Sequence, residues 1–513
     1  MARDRWGTLA LVLPAASFAL FAQSAAIVVG QPFRAVPLAQ RPVFEAVQPD
    51  LLTASATLTN AVADYDGDGH LDLFVGFNGA PNRLYRNRQG VLDEIGAASG
   101  VADARPARAA AWGDFDGDGD PDLLVGFAAS PPRGGPGASL PVLRLYRNDR
   151  SRFADVTTAS GLIVETGAVR QLAWIDVDAD GDLDLFVAFR DRADALFRNQ
   201  SATFTDVAAS IGLADTRRTV GAVWFDYDED GDLDLYAAHQ DGDANGLYRN
   251  DAGRFTDVAE AAGVSWGGRA PREATNGTVR PCVADVNNDG RMDIFTANYG
   301  PNGLLLNQGG GRFEDASSAW GVAVDGRYDT CAFGDFDNDG LVDLYVNGTV
   351  TGGVSYPDRL LRNIGTKFDD VTPENLAALH ADHGAVWWDF DGDGALDLSL
   401  TGVGKDPLPL LLRNRAPAGP RFVKVRVLDA KGRATRAGAE VRVFAAGTRR
   451  ILGGAVVDSG SGYNAQSVMQ VHFGLPDKVR IDVEVVFPGN GARKIQRVRN
   501  AKTGSTIEVR ISP

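Results

Sequence analysis

The sequence predicts an all-β protein, a seven-bladed β-propeller followed by a small β-sandwich domain, and three observations carry that prediction. A nine-residue acidic pattern recurs seven times, each copy lies between short runs of alternating apolar residues, and the charge balance reverses near residue 420. Composition sets the frame: 513 residues with 44% hydrophobic and 23% charged side chains match ordinary folded usage and suffice for several domains. The 60 glycines point to many tight turns, with few long helices between them. A formal charge of −16 is the wrong sign for gripping phosphate backbones, so no nucleic-acid partner is expected.

The N-terminus comes first. Arg3 and Arg5 precede an apolar run from Leu9 to Ala22 and the small residues Ala22-Gln23-Ser24. This is the pattern of a secretory signal peptide over residues 1–24, too short for a comfortable membrane span, with an uncleaved anchor as the alternative. No cysteine lies near the cleavage point, so no lipoprotein is indicated, and the mature chain is expected to be secreted or periplasmic, monomeric and without a membrane span. Residues 25–42 read as a linker.

From residue 43 to residue 415 one unit repeats. The pattern Asp-x-Asp-x-Asp-Gly-x-x-Asp, with Asn once at its third place, begins at Asp64, Asp114, Asp176, Asp226, Asp285, Asp335 and Asp389, at spacings of 50 to 62 residues. A run such as Ala110-Ala111-Trp112-Gly113 precedes each loop and one such as Leu123-Leu124-Val125-Gly126-Phe127 follows it, which makes a β-hairpin with an acidic tip. A third strand follows, ending in Asn in every copy, as in Leu84-Tyr85-Arg86-Asn87, and that Asn reads as a turn former. Segments such as Phe204-Thr205-Asp206-Val207 supply a fourth, and four strands make one blade. The seventh repeat lacks its own fourth strand, and Phe44-Glu45-Ala46-Val47 matches that pattern, so the N-terminal strand is expected to pair near Leu410 to Arg413 and close the ring.

The acidic loops point to calcium, a hard cation that takes six to eight oxygen ligands. In the first copy Asp64, Asp66 and Asp68 present alternate carboxylates, Gly69 turns the chain, His70 lends its backbone carbonyl with its ring toward solvent, and Asp72 closes the site. The same roles fall on Asp114, Asp116, Asp118, Asp120 and Asp122, on Asp176, Asp178, Asp180, Asp182 and Asp184, and on Asp226, Asp228, Asp230, Asp232 and Asp234. Later copies use Asp285, Asn287, Asp289, Arg291 and Asp293; Asp335, Asp337, Asp339, Leu341 and Asp343; and Asp389, Asp391, Asp393, Ala395 and Asp397. An EF-hand needs Glu at position twelve, where these loops carry Val75, Val125, Val187, Ala237, Thr296, Val346 and Leu400, so position nine must close each site. About seven Ca²⁺ ions are therefore expected, with folding coupled to metal binding because empty loops would repel.

These hairpins resemble FG-GAP (VCBS) repeats, the calcium-binding blades of integrin α-subunit propellers. Residues 421–513, after a linker at 416–420, carry Ala437-Gly438-Ala439-Glu440-Val441-Arg442-Val443, Ser459-Gly460-Ser461-Gly462-Tyr463-Asn464-Ala465-Gln466-Ser467 and Val471-His472-Phe473-Gly474-Leu475, which look like an ASPIC/UnbV domain. Phe487 and Gly489-Asn490 depart from that pattern. Propeller and domain in that order resemble the cartilage acidic protein family, which implies a secreted calcium-binding protein with a small β-sandwich packed behind the ring. The residues themselves give that domain strands at 422–428, 440–445, 468–473, 480–487 and 506–511. It holds 17 basic and 7 acidic residues, net +10, leaving 34 and 60 upstream, net −26. Docking onto the repeats is the expectation, recruitment of an external polyanion the alternative.

Segments entering the first strands, opposite the acidic tips, carry Arg105, Arg108, Arg170, Arg217, Arg218, Arg269, Arg272, Arg280 and Arg327, with His380 and His383 in the seventh copy. Such a ring would suit an acidic glycan or carboxylate, against a surface balanced by neighbouring acids. The two histidines read as rim residues, and Trp112, Trp174, Trp224 and Trp387 as packing between blades. Cys282 and Cys331 read as a buried free pair, a disulfide being the alternative. No nucleophile elbow, phosphate loop or zinc signature appears, so a scaffold for an extracytoplasmic protein or glycan is expected, and an enzyme acting on glycans at the Arg-rich face is the runner-up. The inserts Ala128 to Pro141 and Gly348 to Pro357 are the scaffold's candidate contacts.

Overall fold

A computed structural model describes residues 41–128, 141–416, 421–458, 460, 465–476, 479–489 and 491–511. The signal peptide, most of the N-terminal linker, most of the Ala128 to Pro141 insert and the 417–420 linker lie outside the described residues. The rest is almost entirely β, with four helices of a single turn each, such as Gly96–Ser99.

Each of the seven repeats forms a four-stranded antiparallel sheet. In the second repeat Ala107–Gly113 leads into the acidic loop, Asp122–Phe127 returns, and Leu143–Asn148 and Phe153–Asp155 follow in order. First strands are nearly all buried because both faces meet neighbouring sheets, so they read as continuous apolar runs rather than alternating ones. The first strand of each sheet touches the first strand of the next, and that of the seventh, Ala385–Trp388, touches that of the first, Thr57–Ala63. The fifth and sixth sheets are also hydrogen-bonded to one another, Tyr299 pairing with Arg327.

The seventh sheet takes its fourth strand from the N-terminus: Phe44 pairs with Asn414, Glu45 with Arg413 and Ala46 with Leu412. Phe44 is buried against the seventh-repeat core, 6.1 Å from the Trp387 ring. Tryptophans fill the seams as the sequence predicts. Trp174 packs against the second repeat where Gly113 leaves room, since a Cβ there would sit 2.6 Å from its ring, and Trp387 donates its indole N–H to the Ala332 carbonyl at 3.1 Å.

The C-terminal domain is two sheets, one ordered Gln470–Gly474, Phe422–Leu428, Thr506–Arg510 and the other Ile451–Val456, Glu440–Ala445, Ile481–Phe487, Lys494–Ala501, sharing one core. Ile451–Val456 and Lys494–Ala501 escaped the sequence reading because two glycines interrupt the first and basic residues crowd the second. Ala465 and Gln466 leave this domain to pair in parallel with Asn60 and Ala61. The Gln466 carboxamide then brackets Trp112, accepting from its amide at 2.5 Å and donating to its carbonyl at 3.0 Å.

Cys282 and Cys331, on the first strands of repeats five and six, form a disulfide across 49 residues, which corrects the free-pair expectation. Adjacent first strands bring their Cα atoms to 6.2 Å, within bridging reach, a closeness that spacing in sequence cannot show.

Candidate metal centres

Each acidic loop is built by its own backbone. The first carboxylate accepts the amide of the position-six glycine through Oδ2, from Gly69 onto Asp64 at 3.1 Å and likewise in all seven loops. The position-five carboxylate accepts the amide two residues on, as His70 donates to Asp68 at 3.0 Å. The position-nine aspartate anchors the hairpin: Oδ1 of Asp72 accepts from Asn87 at 2.7 Å and Oδ2 from Tyr65 at 3.2 Å, and Asp122, Asp184, Asp234, Asp293, Asp343 and Asp397 repeat both bonds.

The donor set fits a hard cation. Asp64, Asp66 and Asp72 bring one oxygen each within 4.8 Å of one another, as do Asp114, Asp116 and Asp122; Asp176, Asp178 and Asp180; Asp226, Asp228 and Asp230; and Asp335, Asp337 and Asp339. In five loops the first aspartate's other oxygen, Oδ1 of Asp64, Asp114, Asp176, Asp226 and Asp389, is buried with no hydrogen-bond partner. A buried carboxylate oxygen without a donor is costly unless a cation takes it. Burial, opposed by the anchoring amides, pushes the Asp72 carboxyl up to about 8 and those of Asp122, Asp234 and Asp397 to about 9.

Repeats that look alike in sequence differ here. In the fifth and sixth loops Oδ1 of Asp285 and Asp335 is satisfied by the Asp289 and Asp339 amides, at 2.9 and 3.0 Å. Arg362 then bridges Asp337 and Asp339 at 2.6 Å each, and Arg291 pairs with Asp289 at 2.6 Å. Third-strand arginines reach the position-three carboxylate in other loops as well, Arg86 to Asp66 at 2.6 Å, Arg198 to Asp178 at 3.1 Å and Arg413 to Asp391 at 2.5 Å. Sequence reasoning missed this role, although the recurring Arg-Asn pair carried the signal.

The Asn of that pair does more than turn the chain. Asn148 donates to the carbonyl of Tyr65 in the preceding loop at 2.8 Å, and Asn199, Asn307, Asn363 and Asn414 make the same bond to Phe115, Tyr227, Val286 and Phe336. Asn87 of the first repeat donates to Phe390 of the seventh loop at 2.7 Å.

Sequence comparison agrees with this geometry. The FG-GAP-like repeat matches at residues 64–125, 176–237, 226–296 and 285–346, and the ASPIC and UnbV family matches at 430–512. This is an FG-GAP repeat protein with an ASPIC and UnbV domain. It is similar to cartilage acidic protein 1 of Mus musculus, 29% identical over 72% of this chain and 56% of the relative, and to that of Homo sapiens, 32% identical over 52% and 40%. The chain thus spans about half the length of the curated relatives it matches. Among solved structures, an Agrocybe aegerita lectin aligns over 62% of this chain and 81% of its own at 18% identity, with a TM-score of 0.37, too loose a likeness to carry an argument.

The C-terminal domain of this FG-GAP protein lies against the acidic loops. Lys424 pairs with Asp389 at 2.5 Å, Arg436 with Asp176 at 2.7 Å and Arg493 with Asp226 at 3.1 Å, the docking that the charge asymmetry predicts. Gly474 passes so close to Asp335 that no Cβ fits, and a Cβ on Gly454 would lie 2.9 Å from that of Asp285.

On the opposite side the arginines do not form a uniform open ring. Arg269 and Arg280 are buried, Arg105 is held by Asp103 at 2.9 Å, and Arg217 by Asp215 and Asp257 at 2.8 Å. His383 is buried rather than on the rim, between Asp382 at 3.1 Å and Arg108 at 2.9 Å, because the strand it precedes starts inside the molecule. Among the described residues no helix is long and apolar enough to cross a membrane.

Proposed function

We propose that this protein is an exported, calcium-loaded scaffold in which seven sheets form the blades of one propeller, and that it binds a partner rather than catalysing a reaction. The unpartnered Oδ1 atoms of five first aspartates support the metal, since those of Asp64, Asp114, Asp176 and Asp226 belong to clusters of three carboxylates. Calcium suits an all-oxygen donor set on a turn, and seven ions would bring the formal charge from −16 to about −2. Ring closure is supported by Asn87 on Phe390, which repeats between the last and first copies the bond that other neighbours share. Secretion is read from the N-terminal pattern, and a protein or acidic glycan outside the cytoplasm is the partner class. The Gly348 to Pro357 insert supports the binding role: it is a small hairpin, Val350–Thr351 with Val354–Ser355, and Val350 and Val354 are half exposed.

Calcium titration of the mature chain tests this reading. Binding of about seven ions with a higher melting temperature is the expected outcome, each site contributing roughly 2.7 kcal/mol when calcium stands at 100 times its dissociation constant. Melting that is identical in calcium and in EGTA overturns it.

A further inference from the structure

Of the five ion pairs that join the C-terminal domain to the loops among the described residues, two fall on Glu229 from Arg442 and Arg493, and the other three fall on a single place in the loop pattern. Asp176, Asp226 and Asp389 are each the first residue of an acidic loop, and Arg436, Arg493 and Lys424 each take Oδ2, the oxygen that already accepts the glycine amide. Oδ1 of the same carboxylates is left without a partner. These contacts are shielded: the Lys424 and Asp389 side chains are 13% and 1% exposed, and those of Arg493 and Asp226 16% and 2%. The first loop contrasts with them: among the described residues Asp64 has no ion pair, and Asp66 and Asp68 pair only with Arg86 of their own repeat.

We propose that the C-terminal domain is a cationic clamp that competes with metal: Lys424, Arg436 and Arg493 hold the seventh, third and fourth loops together when they are empty and weaken their grip on calcium. This rests on the calcium reading above. A metal on Oδ1 and an ammonium or guanidinium on Oδ2 share one carboxylate, so two like charges stand within a few Å in a poorly hydrated setting and repel. Without metal, the same cation offsets the mutual repulsion of the aspartates. Binding linkage is reciprocal, so the factor by which the clamp lowers calcium affinity is the factor by which calcium loosens the clamp. The global charges agree in sign: the domain carries +10 against −26 upstream, and each Ca²⁺ removes two of those negative charges. The loops the domain grips and the loop it leaves open therefore differ in calcium affinity, although their motifs match.

The test uses the full mature chain with Lys424→Met, Lys424→Arg and the triple variant Lys424→Met/Arg436→Met/Arg493→Met. Calorimetric calcium titration should show one site tightened roughly three- to tenfold in Lys424→Met and three sites in the triple variant, with Lys424→Arg unchanged. Melting in EGTA should fall for both neutralised variants and not for Lys424→Arg. If the triple variant does not fold, Lys424→Met alone decides. Calcium binding by the wild type with equal or weaker affinity in Lys424→Met overturns the clamp, whereas a wild type that takes up no calcium overturns the metal reading itself.

Discussion

Between the third and fifth positions of every acidic loop one residue adopts a left-handed conformation, and only some copies place a residue there that does so readily. Gly67, Gly117 and Gly392 do so without steric cost, and Asn288 and Asn338 at little, but Ala179 sits at φ 57° and Glu229 at φ 64°. Ala179→Gly is therefore expected to stabilise the protein by about 1 kcal/mol in urea denaturation. Asp358 is a second residue whose setting decides its behaviour. It accepts from the Gly348 amide and the Tyr345 hydroxyl at 2.8 Å and from the Ala381 amide at 3.2 Å, and burial pushes its carboxyl up to about 7. A carboxyl raised above its unfolded value near 3.8 contributes stability below about pH 4 that is lost as pH rises through 7. Asn82 and Asn245 fill the corresponding place in other repeats, so Asp358→Asn should fold. The stability of wild type relative to Asp358→Asn should decline by up to about 4 kcal/mol between pH 4 and pH 8, read from urea midpoints.

At the scale of the element, the repeating sheet is held to its neighbour by two devices. One is the asparagine ending the third strand, which crosses to a loop carbonyl of the preceding repeat. The other is the tryptophan laid on a glycine of the preceding first strand, Trp174 on Gly113 and Trp387 on Gly334. Since a Cβ on Gly113 would lie 2.6 Å from the Trp174 ring, Gly113→Ala is expected to cost about 1–3 kcal/mol by overpacking, measured by thermal melting. The sequence made the tryptophans legible because they recur at one register. The asparagines were visible too, but their partners lie about 80 residues away, and a local reading assigned them only a turn.

At the scale of the whole molecule, the seventh sheet depends on a short strand far from its partner in sequence. Phe44–Ala46 pairs with Leu411–Asn414, and Phe44 is buried in the seventh-repeat core. Phe44→Ala should cost about 3 kcal/mol. Deleting residues 41–47 should also bare the edge of the seventh sheet and produce self-association visible by size-exclusion chromatography, while a monomer of unchanged stability would contradict that role of the strand. The disulfide and the docked C-terminal domain join regions in the same way, the first linking neighbouring repeats and the second spanning loops of several.

What the sequence determined by itself is what repeats or alternates: seven acidic hairpins, their strand order, the completing strand at Phe44, and the opposite charges of the two regions. Each follows from local chemistry or from a pattern copied many times, which makes even a distant pairing recognisable. Tertiary structure alone decided which copies are alike. The Asp285 and Asp335 carboxylates are satisfied by their own backbone, those of Asp176, Asp226 and Asp389 face cations of another domain through one oxygen, and that of Asp64 has no ion pair among the described residues. The free cysteines of the sequence reading became a disulfide, and several arginines of the expected open ring became buried or paired. The physical reason is common to all of these. A loop motif fixes the backbone that presents a carboxylate, whereas the charge facing that carboxylate comes from whatever the fold brings within a few Å, and no local pattern encodes that neighbour.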